Sequence, residues 1–185
     1  MIFEETPLAG AWLVTPQPAA DERGAFARLF CAEIFAERGL ASRLDQISYS
    51  YNRTRGTLRG LHLQRPPHAE AKLIRVTAGA IFDVIVDLRA GSPTYGRWHA
   101  VELTAATRAQ LYVPAGMAHG FQTLTDDAEI TYSISTPFAP ESQDGVRWDD
   151  PELAIAWPEP ANPIISPRDR ALPGLKAFAP VEIQL

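Results

Sequence analysis

Between residues 58 and 135 the chain repeats short runs rich in Val, Ile, Tyr, Phe and Thr, each closed by Gly, Pro or Asp. That length and punctuation predict the strands of an all-β sandwich or barrel. The predicted strands are 58–64, 72–78, 80–88, 98–104, 110–113, 119–124 and 130–135. The run Ile81-Phe82-Asp83-Val84-Ile85-Val86 is apolar at both parities. It reads as a central strand covered on one face by the second sheet and on the other by a further element or subunit. In the N-terminal part only residues 32–38 have a helical pattern, ending at Gly39, where a left-handed cap is commonly needed. Beyond Ser135 prolines crowd together, at Pro137, Pro140, Pro151, Pro158, Pro160, Pro163, Pro167, Pro173 and Pro180. Proline has no N–H to donate to a ladder, so this tail is expected to wrap the sandwich.

Composition narrows the possibilities. With 185 residues, 46% of them hydrophobic, the chain is expected to form a single domain, 1–185, with no internal repeat. A net charge of -5 argues against nucleic-acid binding, which rests on clustered Lys and Arg. Cys31 is the single cysteine, and the N-terminus lacks the basic start and apolar run of a signal peptide, so a cytoplasmic protein is expected. No apolar stretch approaches the ~20 residues of a membrane span, and no membrane association is expected.

The chemistry-bearing candidates lie on or beside these strands. Alternation puts His62 on the face opposite Leu61 and Leu63. There it is either a hydrogen-bonded interior histidine or a base facing a cavity, and the position alone leaves both open. Arg59 and Lys72 sit in otherwise apolar company and suit an anionic ligand such as a diphosphate, whereas Arg55 reads as a solvated ion pair. For any of these cations the plain alternative is an ion pair to Glu70 or Asp83. Asp169 and Tyr132 complete the set. A carboxylate behind an imidazole fixes its tautomer, and a phenol can return a proton from the opposite side of a substrate. Nothing in the local sequence places either of them near His62.

An ordered chain of motifs carries a resemblance. It comprises Arg55-Gly56-Thr57-Leu58-Arg59-Gly60-Leu61-His62, then His68-Ala69-Glu70-Ala71-Lys72-Leu73-Ile74-Arg75-Val76, then Gly79-Ala80-Ile81-Phe82-Asp83-Val84-Ile85-Val86-Asp87-Leu88-Arg89. Further on come Ser92-Pro93-Thr94-Tyr95-Gly96-Arg97-Trp98, Pro114-Ala115-Gly116-Met117-Ala118-His119-Gly120-Phe121, and Gly145-Val146-Arg147-Trp148-Asp149-Asp150-Pro151. From Asp21 to about Leu172 the chain resembles the dTDP-4-dehydrorhamnose 3,5-epimerases. The resemblance implies a cupin jelly-roll β-sandwich, a homodimer, and a nucleotide-diphosphate sugar substrate inverted at C3 and C5 without metal or other cofactor. It casts His62 as the base, Asp169 as its partner, Lys72 as the stabiliser of the enolate oxygen and Tyr132 as the acid on the other face. Arg23, Arg59 and His119 fall where the family holds the diphosphate and sugar, Arg23 reaching into the neighbouring subunit's site. Gln46, Arg168, Arg28, Gln143 and Phe138 fall among the remaining substrate contacts.

Four positions depart from the family pattern. Arg28 stands where an acid is usual, Gln143 where Glu is, Leu63 where Tyr follows the base, and Phe138 where a second tyrosine touches substrate. These bear on nucleotide and sugar preference and spare the catalytic set. Two rivals remain. A metal-dependent cupin would draw ligands from His62, Glu70 and His119, but its usual His-x-His is interrupted by Gln64, and His68 would have to fold back. The other is an epimerase that inverts a single carbon, or an isomerase of another nucleotide sugar.

Overall fold

A computed structural model describes residues 1–183. Its strands are β1 (Ile2–Glu5), β2 (Trp12–Thr15), β3 (Ala19–Asp21), β4 (Gly24–Phe26), β5 (Gln46–Asn52), β6 (Leu58–Gln64) and β7 (Lys72–Ala78). They continue as β8 (Ala80–Asp87), β9 (Trp98–Thr104), β10 (Gln110–Val113), β11 (Met117–Thr123), β12 (Ala128–Ile134) and β13 (Gln143–Gly145). Two short helices, α1 (Ala32–Ala36) and α2 (Pro167–Arg170), complete the regular structure apart from two 3-10 turns. One sheet has the order β1-β2-β10-β7-β12-β5, the second β13-β6-β11-β8-β9, and β3-β4 stands apart as a hairpin. All named strand pairs are antiparallel. The two large sheets face each other as a jelly-roll sandwich, the architecture expected.

Three apolar layers hold it. Between the sheets, Ile74, Val76, Leu111 and Ile130 meet Ile81, Ile85, Leu103 and Phe121. Outside the five-stranded sheet, Leu61, Leu63, Val84 and Val86 meet Trp148, Leu153, Trp157, Phe178 and Val181 of the C-terminal tail. The tail's prolines confine its ladders to the short β13 and two isolated bridges, yet each aromatic or aliphatic side chain it lays on the sheet contributes about 1.5–3 kcal/mol by leaving water. Trp98 and Trp157 direct their indole N–H groups to the Leu153 and Trp148 carbonyls, both at 2.8 Å, so their burial orphans no donor. The doubly apolar β8 is covered as expected, by the second sheet on one side and the tail on the other. The third layer, outside the six-stranded sheet, packs Phe35 of α1 against Leu73, Tyr112, Phe3 and Phe30.

Strands β6, β7, β9 and β10 have the bounds that alternation predicts, and β8, β11 and β12 differ by one or two residues at their ends. The helix α1 stops two residues earlier than residues 32–38 suggest, at Ala36, and Gly39 closes it with φ 69° and an N–H to the Ala36 carbonyl. Alternation alone missed β1 to β5, β13 and α2.

Candidate active site

Where β5 and β13 form the edges of the two sheets, the sandwich opens into a cavity of about 630 Å³. One wall comes from β6 and β11, the other from β7, β12 and β5, and residues 164–169 of the tail cross the mouth. A register shift shapes the first wall. His119 pairs with His62 and Phe121 with Arg59, so β6 takes three residues where β11 takes two. The extra residue lets Arg59 and His62 both face the cavity while Leu61 and Leu63 stay in the tail-covered layer. The strands approach closely there, since a Cβ on Gly60 would lie 2.5 Å from the Gly120 Cα, and Gly60 holds φ 122°.

His62 Nε2 lies 2.8 Å from Asp169 Oδ1, across 107 residues of sequence. The other oxygen of Asp169 accepts the Gly60 N–H at 3.1 Å. The aspartate is delivered by α2, whose start is set by Pro167 at its first position and by Ser166 Oγ, which accepts the Asp169 N–H at 3.1 Å. Burial pushes the Asp169 carboxyl up, but the His62 and Gly60 hydrogen bonds outweigh it and hold the group below the usual carboxylate range. An ionised Asp169 can only accept, so Nε2 carries a hydrogen, and in the neutral imidazole the lone pair is then on Nδ1. His62 is thereby set up as a base whose imidazolium form has a partner.

A second pair lies deeper, with His119 Nε2 at 2.6 Å from Asp83 Oδ1. Asp83 is fully buried and its Oδ2 has no hydrogen-bond partner. Burial raises its carboxyl against the pull of His119 and Lys72. The His119 ring packs edge-on against Tyr132, with centroids 5.9 Å apart. Burial, and then the negative charge of Asp83, push the Tyr132 phenol above its ordinary range despite Arg59 and the Ser50 hydroxyl. Tyr132 therefore keeps its proton at any ordinary pH and can donate it.

Lys72 faces Tyr132's strand, with Lys72 paired to Ile134 and Ile74 to Tyr132. Its Nζ donates to the His62 carbonyl at 3.2 Å and pairs with Glu70 Oε1 at 2.9 Å. Arg59 Nε donates to Asn52 Oδ1 at 2.7 Å at the open end, where Arg168 is also exposed. Gln46, Gln143 and Phe138 line the mouth, with Gln46 Oε1 accepting the Phe138 N–H at 2.9 Å. Thus every candidate site residue except Arg23 and Arg28 meets in one cavity. Arg23 lies on the exposed β3-β4 hairpin, ion-paired to Asp21 at 2.6 Å, and Arg28 is exposed just beyond it. Arg55 forms a solvated ion pair as expected, but its partner is Glu159, and the expected alternative of a pair to Glu70 is found at Lys72.

Sequence reasoning missed Asp83 as the partner of His119, Asn52 as the holder of Arg59, and the capped turn carrying Asp169. A lone aspartate in an apolar strand and Ser-Pro before an acid were the available signals. For the metal reading, among the described residues no three His, Cys, Asp or Glu side chains gather as a ligand set. The Gln64 amide is committed to the His68, Pro137 and Ala139 backbone, and His68 Nδ1 lies 2.9 Å from Ser142 Oγ.

A base, a protonated phenol and an ammonium around one cavity can exchange protons at carbon beside a carbonyl. Known proteins agree with that chemistry. The family dTDP-4-dehydrorhamnose 3,5-epimerase matches residues 5–177. A dTDP-4-dehydrorhamnose 3,5-epimerase of Sinorhizobium fredii is 42% identical over 175 residues, covering 95% of this chain and 90% of the relative. A dTDP-4-dehydrorhamnose 3-epimerase of Streptomyces niveus is 42% identical over 164 residues, covering 88% of this chain and 78% of the relative. The crystal structure of a Legionella pneumophila dTDP-6-deoxy-D-glucose-3,5-epimerase with dTDP-4-keto-L-rhamnose superposes with a TM-score of 0.91 at 35% identity, covering 100% of this chain and 99% of that one. The chain belongs to the dTDP-4-dehydrorhamnose 3,5-epimerase family.

Proposed function

We propose that the chain is a cofactor-independent sugar-nucleotide 3,5-epimerase that converts dTDP-4-dehydro-6-deoxy-glucose to dTDP-4-dehydrorhamnose. The observation that carries this is the His62–Asp169 pair, which shares one cavity with Lys72 and the Tyr132 phenol. The C4 ketone acidifies the C–H bonds at C3 and C5, so one base, one acid and one oxyanion stabiliser suffice. His62 Nδ1 takes the proton, with Asp169 balancing the imidazolium. Lys72 meets the enolate oxygen, and Tyr132 returns a proton from the other face. Arg59 and Arg168, exposed at the mouth, suit the diphosphate.

The reading includes a cytoplasmic homodimer in which Arg23 serves the neighbouring subunit's cavity. The support for the dimer is twofold. Arg23 stands outside its own chain's cavity, and β5 and β4 expose Ile47 (72%), Tyr49 (72%) and Phe26 (82%), an apolar surface of the kind that interfaces cover.

Solvent exchange tests the reaction. Offered dTDP-4-keto-6-deoxyglucose in D2O, the enzyme is expected to place deuterium at both C3 and C5, read by NMR or mass spectrometry. Label at C3 alone would assign it to the single-carbon epimerases, the second reading, which the 42% identical 3-epimerase of Streptomyces niveus favours. Absence of label with dTDP bound would overturn epimerisation of this substrate.

A further inference from the structure

We infer that Glu70 is a positioning residue for the reaction, acting through Lys72; this rests on the epimerase reading, in which Lys72 meets the enolate oxygen. Glu70 lines the cavity, and its Oε1 lies 2.9 Å from Lys72 Nζ. Both side chains are largely buried, 11% exposed for Lys72 and 8% for Glu70, so water does little to screen the contact. An ion pair in this position needs a reason, because two charges leaving water cost several kcal/mol each before their attraction offsets it.

The geometry of the ammonium supplies one. Lysine carries three N–H donors on a flexible four-carbon stem, and an ammonium with one anchor can swivel freely. Here two anchors exist, an ion pair with Glu70 Oε1 at 2.9 Å and a hydrogen bond to the His62 carbonyl oxygen at 3.2 Å. The hydrogen bond and the ion pair together restrain the ammonium and leave it N–H donors for the substrate oxygen. The second anchor is the backbone of the base itself, so the ammonium is held in register with the His62 imidazole. Without an acceptor at position 70 the stem would be tethered at one point and the ammonium free to turn away from the developing charge. Preorganised donors stabilise a transition state because they need no reorientation during the reaction. The chemistry requires an acceptor oxygen at position 70, which an amide can also provide.

Lys72 and Lys176 are the two lysines of the chain, which makes a direct readout practical. In protein labelled with 15N-lysine, the Lys72 ammonium is expected to give a slowly exchanging Nζ cross-peak, present in wild type and Glu70→Gln and lost in Glu70→Ala. With the dTDP-4-keto sugar, Glu70→Ala should lower kcat at least tenfold with KM changed less than threefold. Glu70→Gln should stay within threefold of wild type. Thermal melts and dTDP binding identify variants that fail to fold. If Glu70→Ala retains kcat within threefold, or keeps the cross-peak, or if both folded variants lose activity equally, the inference is overturned. Should wild type itself fail to label the sugar, the epimerase reading falls, and the cross-peak alone then decides whether Glu70 holds Lys72.

Discussion

The cavity holds two pairs of the same kind, an imidazole on a carboxylate, in opposite surroundings. His62 is partly exposed to the cavity, while Asp169 behind it is buried and has partners on both oxygens. His119 and Asp83 lie in the interior, and one oxygen of Asp83 is orphaned. The same two groups therefore respond differently. Hydrogen bonds hold the Asp169 carboxyl low, so it stays ionised to balance an imidazolium. Burial drives the Asp83 carboxyl up, so its charge costs the fold something, and that charge is felt by Tyr132. Partner identity alone does not set the charge state of such a pair; burial and full satisfaction of the carboxylate do.

The sharpest way to break this contrast is His62→Asn. An amide is far too weak a base to take a proton from carbon, and a general base is worth about 10²–10⁴ in rate. The variant is expected to lose about 10³-fold in exchange at both C3 and C5 while its circular dichroism and dTDP affinity stay near wild type. Exchange within tenfold of wild type would move the base elsewhere in the cavity.

Next comes Asp169→Asn, which keeps the shape of the pair and removes its charge. Exchange should fall about 10²-fold, because the amide can donate to Nε2 and so shift the ring hydrogen to Nδ1, the wrong tautomer for abstraction. Stability should respond too. The folded carboxyl lies below its unfolded value, so its contribution is present above about pH 3.9 and is lost as pH falls through the lower folded value. Wild type should therefore melt above the variant at pH 6–8, and the gap should close on acidification towards and below pH 3. A pH-independent gap in melting temperature would mean that the carboxylate is not held in its charged form.

Reading the sequence, the walls of the cavity were more legible than its assembly. Strands β6 to β10 could be found because their outward and inward faces are both dictated by apolar packing. The strand β5 reverses that logic. Its Gln46, Ser48 and Ser50 point inward to the wet cavity side, while Ile47, Tyr49 and Tyr51 point out, so alternation exists without a dry face to anchor it. The short β13 pairs through Gln143, Asp144 and Gly145, which have no strand preference of their own. His62 could be nominated from its parity. Its tie to Asp169 could not, because that contact closes 107 residues and depends on a four-residue helix among prolines. The motif resemblance named Asp169 without giving the distance. Conversely, Arg23 and Arg28 share a motif context with the site and stand apart from it within the chain.

The mildest and most discriminating test is Asp83→Asn. The amide oxygen can still accept from His119, so the pair keeps its shape and loses a buried charge. Because the folded Asp83 carboxyl is raised, its contribution to stability is present below the unfolded value near pH 3.9 and is lost as pH rises through the folded one. Removing the charge should leave the melting temperature at pH 7–8 unchanged or higher, the opposite of Asp169→Asn. Activity should drop less than tenfold, since Asp83 acts on Tyr132 and Lys72 through space and is fully buried. A loss as large as that of Asp169→Asn, with a lowered melting temperature, would show that both pairs need their charge, and that burial is not what separates them.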